Sequence, residues 1–305
     1  VETQQDAQAP QKASSARQNQ SEKAAVQTAP DAQTVRLLDG GAVTALSMED
    51  YLTGVLLSEM PADFETEARK AQAVAARTFT CRKLLQPKHE NADVCAEASC
   101  CQAWTSREQL RQKYGASFDA VWSAAREAVR QTAGEVLTYD GQLIDAVYFS
   151  CSGGATEAAV AVWGTDVPYL QAVESPGEEA APRFSSRAVF SPEEFSQRLM
   201  QENPDVQLSG SPDAWLGETT RSAGGGAATC SIGGVSFSGT QLRRMFGLNS
   251  TRLTLSYQDG DFVFDVTGFG HRVGMSQYGA QTMAQLGFSY QTILQYYYLG
   301  AEVER

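Results

Sequence analysis

At 305 residues, with 42% apolar and 20% charged side chains, the chain is long enough to bury a substantial core and has the composition of a globular protein. A formal net charge of -12 sets it against nucleic acid and anionic lipid surfaces. Six cysteines are too few for a disulfide scaffold at this length, and no run approaches the roughly 20 apolar residues that cross a bilayer.

Residues 1–34 are rich in Gln, Ala, Ser, Asp and Pro and lack aromatic residues. They show neither helical nor strand periodicity, which predicts a disordered tether, expected to follow a leader or anchor outside this sequence. The folded part is expected over residues 35–305. Val35 to Leu46 reads as two short strands around Asp39-Gly40, and the same hairpin signal recurs at Asp140-Gly141 and Asp259-Gly260. Ser47 with Asp50 three residues on resembles a capping box, and Tyr51, Leu52, Val55 and Leu56 carry helical spacing up to Glu59. Pro61 stops that helix. A second helix is predicted over Glu65 to Leu85, rich in alanine, and a third over Arg107 to Gln131. Ser191-Pro192-Glu193-Glu194 opens a further helix, and short ones follow near Gln241 to Phe246, Gly274 to Leu286 and Gln291 to Tyr298. Gly224-Gly225-Gly226 reads as a flexible loop. Strands and helices come in blocks, so the expected class is α+β, with helices and antiparallel hairpins in one catalytic unit.

Glu59 falls at the negative pole of the first helix among Leu56, Leu57 and Met60, a setting that raises a carboxyl's pKa and suits a general acid. A solvated surface glutamate is the plainer alternative. Arg77 rises from an alanine-lined stripe of the second helix, within reach of an acid on a neighbouring helix and shaped to hold a sugar carboxylate. Taken alone, it reads more simply as a solvated helix arginine. His89, Cys95, Cys100 and Cys101 combine soft thiolates with an imidazole, the donor set of tetrahedral zinc. Adjacent Cys100 and Cys101 point apart if extended, so three ligands come more readily than four; a disulfide or buried thiols are the alternatives. The segment Tyr148 to Glu157, with Ser150, Ser152 and a Gly-Gly pair, offers hydroxyls and backbone amides to a carbohydrate. Gly268 to Gly279 carries His271, Ser276 and Gln277 between glycines. Its spacing is wrong for a dinucleotide fingerprint.

Together, Ser58-Glu59-Met60-Pro61, Lys70-Ala71-Gln72-Ala73-Val74-Ala75-Ala76-Arg77-Thr78, Ser150-Cys151-Ser152-Gly153-Gly154, Val162-Trp163-Gly164 and His271-Arg272-Val273-Gly274-Met275-Ser276-Gln277-Tyr278-Gly279-Ala280 resemble the stage II sporulation protein D and amidase-enhancer family. The resemblance is collinear from about Val35 to the C-terminus. It implies a peptidoglycan lytic transglycosylase acting between N-acetylmuramic acid and N-acetylglucosamine in sporulation, with Glu59 as acid and base and Arg77 beside it in the site. Gln72, Tyr148, Ser150, Ser152, His271, Ser276 and Gln277 are expected to contact the glycan. A structural zinc is implied on His89, Cys95 and Cys101, with Cys100 where a histidine is often seen. Implied partners are glycan strands, a sporulation amidase and endopeptidase of the stage II sporulation protein P type, and a membrane protein. Cys151 and Arg272 depart from the pattern, which commonly has a threonine and a glycine there. A zinc-dependent amidase and a non-catalytic glycan-binding module that stimulates an amidase are the alternative readings.

Overall fold

The protein is described by a computed structural model covering residues 33–305, so the tether expected over residues 1–34 lies almost wholly outside the described residues. The chain opens with strands β1 (Thr34–Asp39) and β2 (Ala42–Ser47). Asp39 pairs with Ala42, and the turn is Gly40-Gly41, both left-handed, one residue beyond the Asp-Gly expected. Two glycines there adopt the conformation at no steric cost, so Asp39 stays in the strand. Helix α1 (Met48–Glu59) begins as expected, with the Ser47 hydroxyl accepting the Asp50 N–H. Every residue from Tyr51 to Glu59 is buried, so α1 runs through the interior.

Helix α2 (Thr66–Leu85) is the central element. Its alanines let α1 and three later helices approach closely. After it, β3 (Val94–Cys95) adds to β1 in parallel. The single helix expected over Arg107 to Gln131 is two, α3 (Arg107–Tyr114) and α4 (Phe118–Gln131). Gly115, at φ 54°, breaks them with one turn of 3-10 helix, while Ser106 and Gln109 form a reciprocal cap at the start of α3. Strands β4 (Val136–Tyr139) and β5 (Gln142–Leu143) flank Asp140-Gly141, both at positive φ as the hairpin signal predicts. Then come β6 (Tyr148–Phe149), β7 (Gly154–Ala155), α5 (Ala159–Trp163) and β8 (Glu174–Ser175).

A second apolar core follows, composed of residues between Phe190 and Val266 and separate from the main one. It holds β9 (Ser185–Phe190), α6 (Pro192–Glu202), β10 (Leu216–Arg221), β11 (Ala227–Ile232), β12 (Val235–Ser238), α7 (Gly239–Phe246), β13 (Arg252–Gln258) and β14 (Asp261–Thr267). Two three-stranded sheets, β10-β11-β12 and β13-β14-β9, close on Phe195, which stacks on Phe262 at 3.8 Å. The chain then returns to the main core through β15 (Met275–Ser276), which pairs with β6 in parallel, α8 (Gln277–Gln285), α9 (Tyr290–Tyr297) and β16 (Glu302–Glu304), antiparallel to β4. The architecture is α+β, as the blocks of strands and helices predict.

Gly224-Gly225-Gly226 is not the free loop expected. The Gly226 N–H donates to Glu157 and the Gly224 carbonyl accepts from Arg272. A side chain at Gly224 would meet the Thr156 carbonyl at 2.1 Å, so these glycines permit a close approach between the second core and the main body.

Candidate active site

At the last residue of α1 the chain turns extended at Met60 ahead of Pro61, and the Glu59 side chain folds inward, 7% exposed. The Ala103 N–H donates to its Oε1 at 2.8 Å and the Gln277 amide reaches Oε2 at 3.4 Å. Burial pushes the carboxyl up to about 7, with these two donors pulling the other way. Glu59 therefore exchanges its proton near neutrality, which an ordinary surface glutamate does not do. Both oxygens accept an N–H, Oε1 at 2.8 Å and Oε2 at 3.4 Å, so Oε2, with the longer contact, is the less committed of the two.

Helix α8 closes over this end of α1. Gln277 opens the helix, and one turn later the Gln281 carbonyl oxygen accepts the Glu65 N–H, tying down the loop after Pro61. Phe64 from that loop meets Tyr278 edge-on at 5.0 Å. Asp63 and Glu65 on the loop are exposed. Among the described residues, no other carboxylate bears on the titration of Glu59.

Behind the acid runs a buried polar chain. The Tyr148 hydroxyl donates to the Gln102 side-chain oxygen at 2.7 Å, and the Gln102 amide donates to Tyr51 and Thr80. Burial first, and then the Glu59 charge, raises the Tyr148 hydroxyl well above its ordinary value, so it stays protonated. Gln72 is buried against Tyr148, yet neither of its amide atoms meets hydrogen-bond geometry with a protein group.

Cys101 and Ala103 lie on either side of Gln102, which links this chain to the thiol cluster. The N–H groups of Cys100 and Cys101 both reach the Glu97 carbonyl, and that tight turn brings the adjacent cysteines to one point. The donor atoms of His89, Cys95, Cys100 and Cys101 all lie within 4.8 Å of one another, with His89 Nε2 3.5 Å from Cys101 Sγ and 3.7 Å from Cys100 Sγ. Tetrahedral ligands about 2.3 Å from zinc stand about 3.8 Å apart, so the donor set fits that ion. The sequence favoured three donors; the turn supplies the fourth, Cys100. None of the six cysteines is in a disulfide. The Cys95 thiol is lowered to about 5, chiefly by the hydrogen bond from Cys101, which is itself pushed up.

The remaining residues expected in the site lie elsewhere. Arg77 is fully buried, and its guanidinium donates to the Val129 and Glu135 carbonyls and to Thr132, at the end of α4 and just beyond. It anchors α2 to the end of α4. His271 was expected to face glycan; it is buried, its Nε2–H directed at the Tyr148 carbonyl at 3.0 Å and its Nδ1 accepting the Val273 N–H. Both nitrogens are committed, and burial lowers it to about 3, so it remains a neutral core residue between Phe149 and Trp163. Ser152 and Ser276 are buried rather than open to a sugar, and both donate to Glu178. The Ser150 carbonyl accepts from Ser276 and from the Tyr278 N–H. Arg272, at φ 68°, runs its guanidinium under the 152–157 turn to Glu157, Ser152, Ala155 and Gly224. Its size therefore does not obstruct the site. Glu178 was not anticipated, standing in a stretch with nothing local to mark it, and Glu157, at the end of the segment expected to meet carbohydrate, instead pairs with Arg272.

Sequence comparison shows which proteins the chain is similar to. The family model described as Stage II sporulation protein matches residues 39–139, which span β1 to the end of β4 and so include Glu59 and the thiol cluster. Stage II sporulation protein D of Bacillus subtilis (strain 168) is 35% identical over 303 residues, covering 93% of this chain and 85% of that protein. The protein of that name from Bacillus amyloliquefaciens is 36% identical over 265 residues, covering 86% and 75%. The amidase enhancer of Bacillus subtilis (strain 168) is 30% identical over 301 residues, 82% of this chain but 39% of its own length. With identity of this depth running through both cores, the chain belongs to the stage II sporulation protein D family.

Proposed function

We propose that the protein is a lytic transglycosylase that cuts peptidoglycan glycan strands between N-acetylmuramic acid and N-acetylglucosamine during sporulation, with Glu59 as its acid and base. The observation that carries this is a buried carboxyl at the end of α1, held by the Ala103 N–H and the Gln277 amide and raised by burial to about 7, with no second carboxylate among the causes of that shift. Glycoside hydrolases work with a second carboxylate about 5–9.5 Å from the first. A single carboxyl suffices when the substrate supplies its own nucleophile. Glu59 gives its proton to the departing oxygen of the glycosidic bond. The resulting carboxylate takes a proton from the muramyl 6-hydroxyl as that oxygen bonds to the anomeric carbon. One C–O bond breaks, one forms, no water is consumed and Glu59 ends protonated. The names of the relatives, a sporulation protein and an amidase enhancer, support a substrate in the cell wall.

On this reading His89, Cys95, Cys100 and Cys101 hold a structural zinc. With four protein donors the ion has no open position, which argues against a zinc-activated water and hence against an amidase. When bound, the ion crosslinks the 89–101 segment, from which Ala103 reaches Glu59. The substrate puts the protein on the outer side of the membrane, anchored by a segment beyond this sequence. An amidase of the same process is the expected partner. Among the described residues, no helix is long and apolar enough to cross a membrane.

Mass analysis of fragments released from peptide-free glycan tests the reading. Anhydromuramic ends lost in Glu59→Gln are the expected result, and reducing ends would mean hydrolysis instead. Similarity to an amidase enhancer favours one second reading, glycan binding without cleavage; binding with no fragments, while a partner amidase is stimulated, would establish it.

A further inference from the structure

Glu178 lies outside every motif of the sequence and does not touch Glu59, yet it is 1% exposed and receives five hydrogen bonds. Its Oε2 accepts from the Ser152 N–H at 2.6 Å, the Ser152 hydroxyl at 2.8 Å and the Gly153 N–H at 2.9 Å. Its Oε1 accepts from the hydroxyls of Ser175 at 2.6 Å and Ser276 at 2.5 Å. Oε2 takes two backbone N–H groups and a hydroxyl and Oε1 two further hydroxyls, a set of donors that a carboxylate uses in full. The packing is tight as well. A side chain at Gly279 would meet Tyr297, Ser175 and Glu178 within 2.9 Å.

Ser276 is the N-cap of α8, its hydroxyl also accepting the Gly279 N–H. The next residue, Gln277, donates to Oε2 of Glu59, and Gln281 one turn later holds the Glu65 N–H. One buried carboxylate thus sets where α8 begins, and α8 meets Glu59 on Oε2 and on the loop behind it. Resting on the assignment of Glu59 as the acid, we infer that Glu178 is a positioning residue for the reaction, fixing the first turn of α8 so that Gln277 is aimed at the Glu59 carboxyl. Glu59 faces the Ala103 N–H from the thiol-cluster segment, the Gln277 amide from α8 and the Tyr148 hydroxyl from β6. Among these, Gln277 is the group whose placement Glu178 governs.

Loss of the Gln277 bond removes a donor that favours the ionised carboxyl, so the Glu59 titration midpoint rises. The experiment follows the Glu59 carboxyl by 13C NMR across pH, its resonance identified by its absence in Glu59→Gln. Glu178→Gln is expected to raise the midpoint by about 0.5 pH unit and to move the alkaline limb of kcat upward with it. Ser276→Ala, a smaller change that also cuts the link to α8, is expected to shift it in the same direction and decides the matter if Glu178→Gln does not fold. Lower melting temperatures with an unmoved Glu59 midpoint would overturn the inference and leave Glu178 a purely structural carboxylate. A moved midpoint in a protein whose wild type releases no anhydro ends would support the role of Glu178 while removing the transglycosylase reading.

Discussion

Glu59 has opposite consequences for catalysis and for stability. Burial favours its neutral form, so the fold binds this proton more tightly than the unfolded chain, which releases it near 4.5. Its folded value is raised; the protonated state contributes fully below the unfolded value, and the contribution is lost as pH rises through about 7. Glu59→Gln should therefore stabilise the protein at pH 8 by up to about 3 kcal/mol and change little at pH 4, measured by chemical denaturation. Turnover should fall at least about a hundredfold in the same variant. A gain over wild type no larger at pH 8 than at pH 4 would mean that the carboxyl is not strained by its burial. Arg77 calls for the contrary behaviour. Arg77→Ala strips two backbone carbonyls and Thr132 of a charged donor deep in the core, and a loss of about 3–5 kcal/mol is expected. If denaturation midpoints hardly move while kcat collapses, Arg77 acts on substrate after all.

At the scale of elements, α1 and the 103–105 segment touch where α1 has its only glycine. A methyl group on Gly54 would sit 2.3 Å from the Trp104 indole nitrogen and 3.0 Å from the Thr105 carbonyl. Helix propensity favours alanine, but overpacking there costs about 1–3 kcal/mol and pushes the segment carrying Ala103 off Glu59. Gly54→Ala should therefore lower both melting temperature and kcat; a stabilised, fully active variant would show that the segment yields freely. Most elements were legible in the sequence because their signals are local. Ser47, Ser191 and Pro61 mark helix ends, and Asp140-Gly141 and Asp259-Gly260 mark hairpins. The break at Gly115 was missed because an isolated glycine in a polar amphipathic run looks tolerable until the helix must turn. Glu59 and the thiol cluster drew notice because their residue types carry their chemistry, whereas Gln277 was read as a glycan contact and its bond to Glu59 was not foreseen. His271, Ser152 and Ser276 were read as glycan contacts because a sequence shows a hydroxyl or imidazole but not the buried partner that uses it. Glu178 and the carbonyl targets of Arg77 are such partners, far away in the chain.

Over the whole molecule, the four-donor cluster and the acid share one short segment, so metal and activity should be lost together but through folding. Protein purified without added metal is expected to carry one zinc, and chelation or Cys95→Ser should cost about 3 kcal/mol, roughly 6–12 °C in melting temperature. Elemental analysis finding no stoichiometric zinc in reduced protein would return these thiols to the core. The second core makes a different kind of statement. Ser185 and Thr267, its entry and exit, are register partners on neighbouring strands, so the chain leaves the main body and comes back at nearly the same point. A segment with adjacent ends can be lengthened, exchanged or excised without rerouting what it interrupts. The catalytic body and the inserted lobe are in that sense separable parts, joined by two strand ends and the clasp of Arg272 and Glu157 on the 222–226 turn. A change of length or sequence within the lobe can thus leave the Glu59 carboxyl, its two amide donors and the thiol cluster where they are.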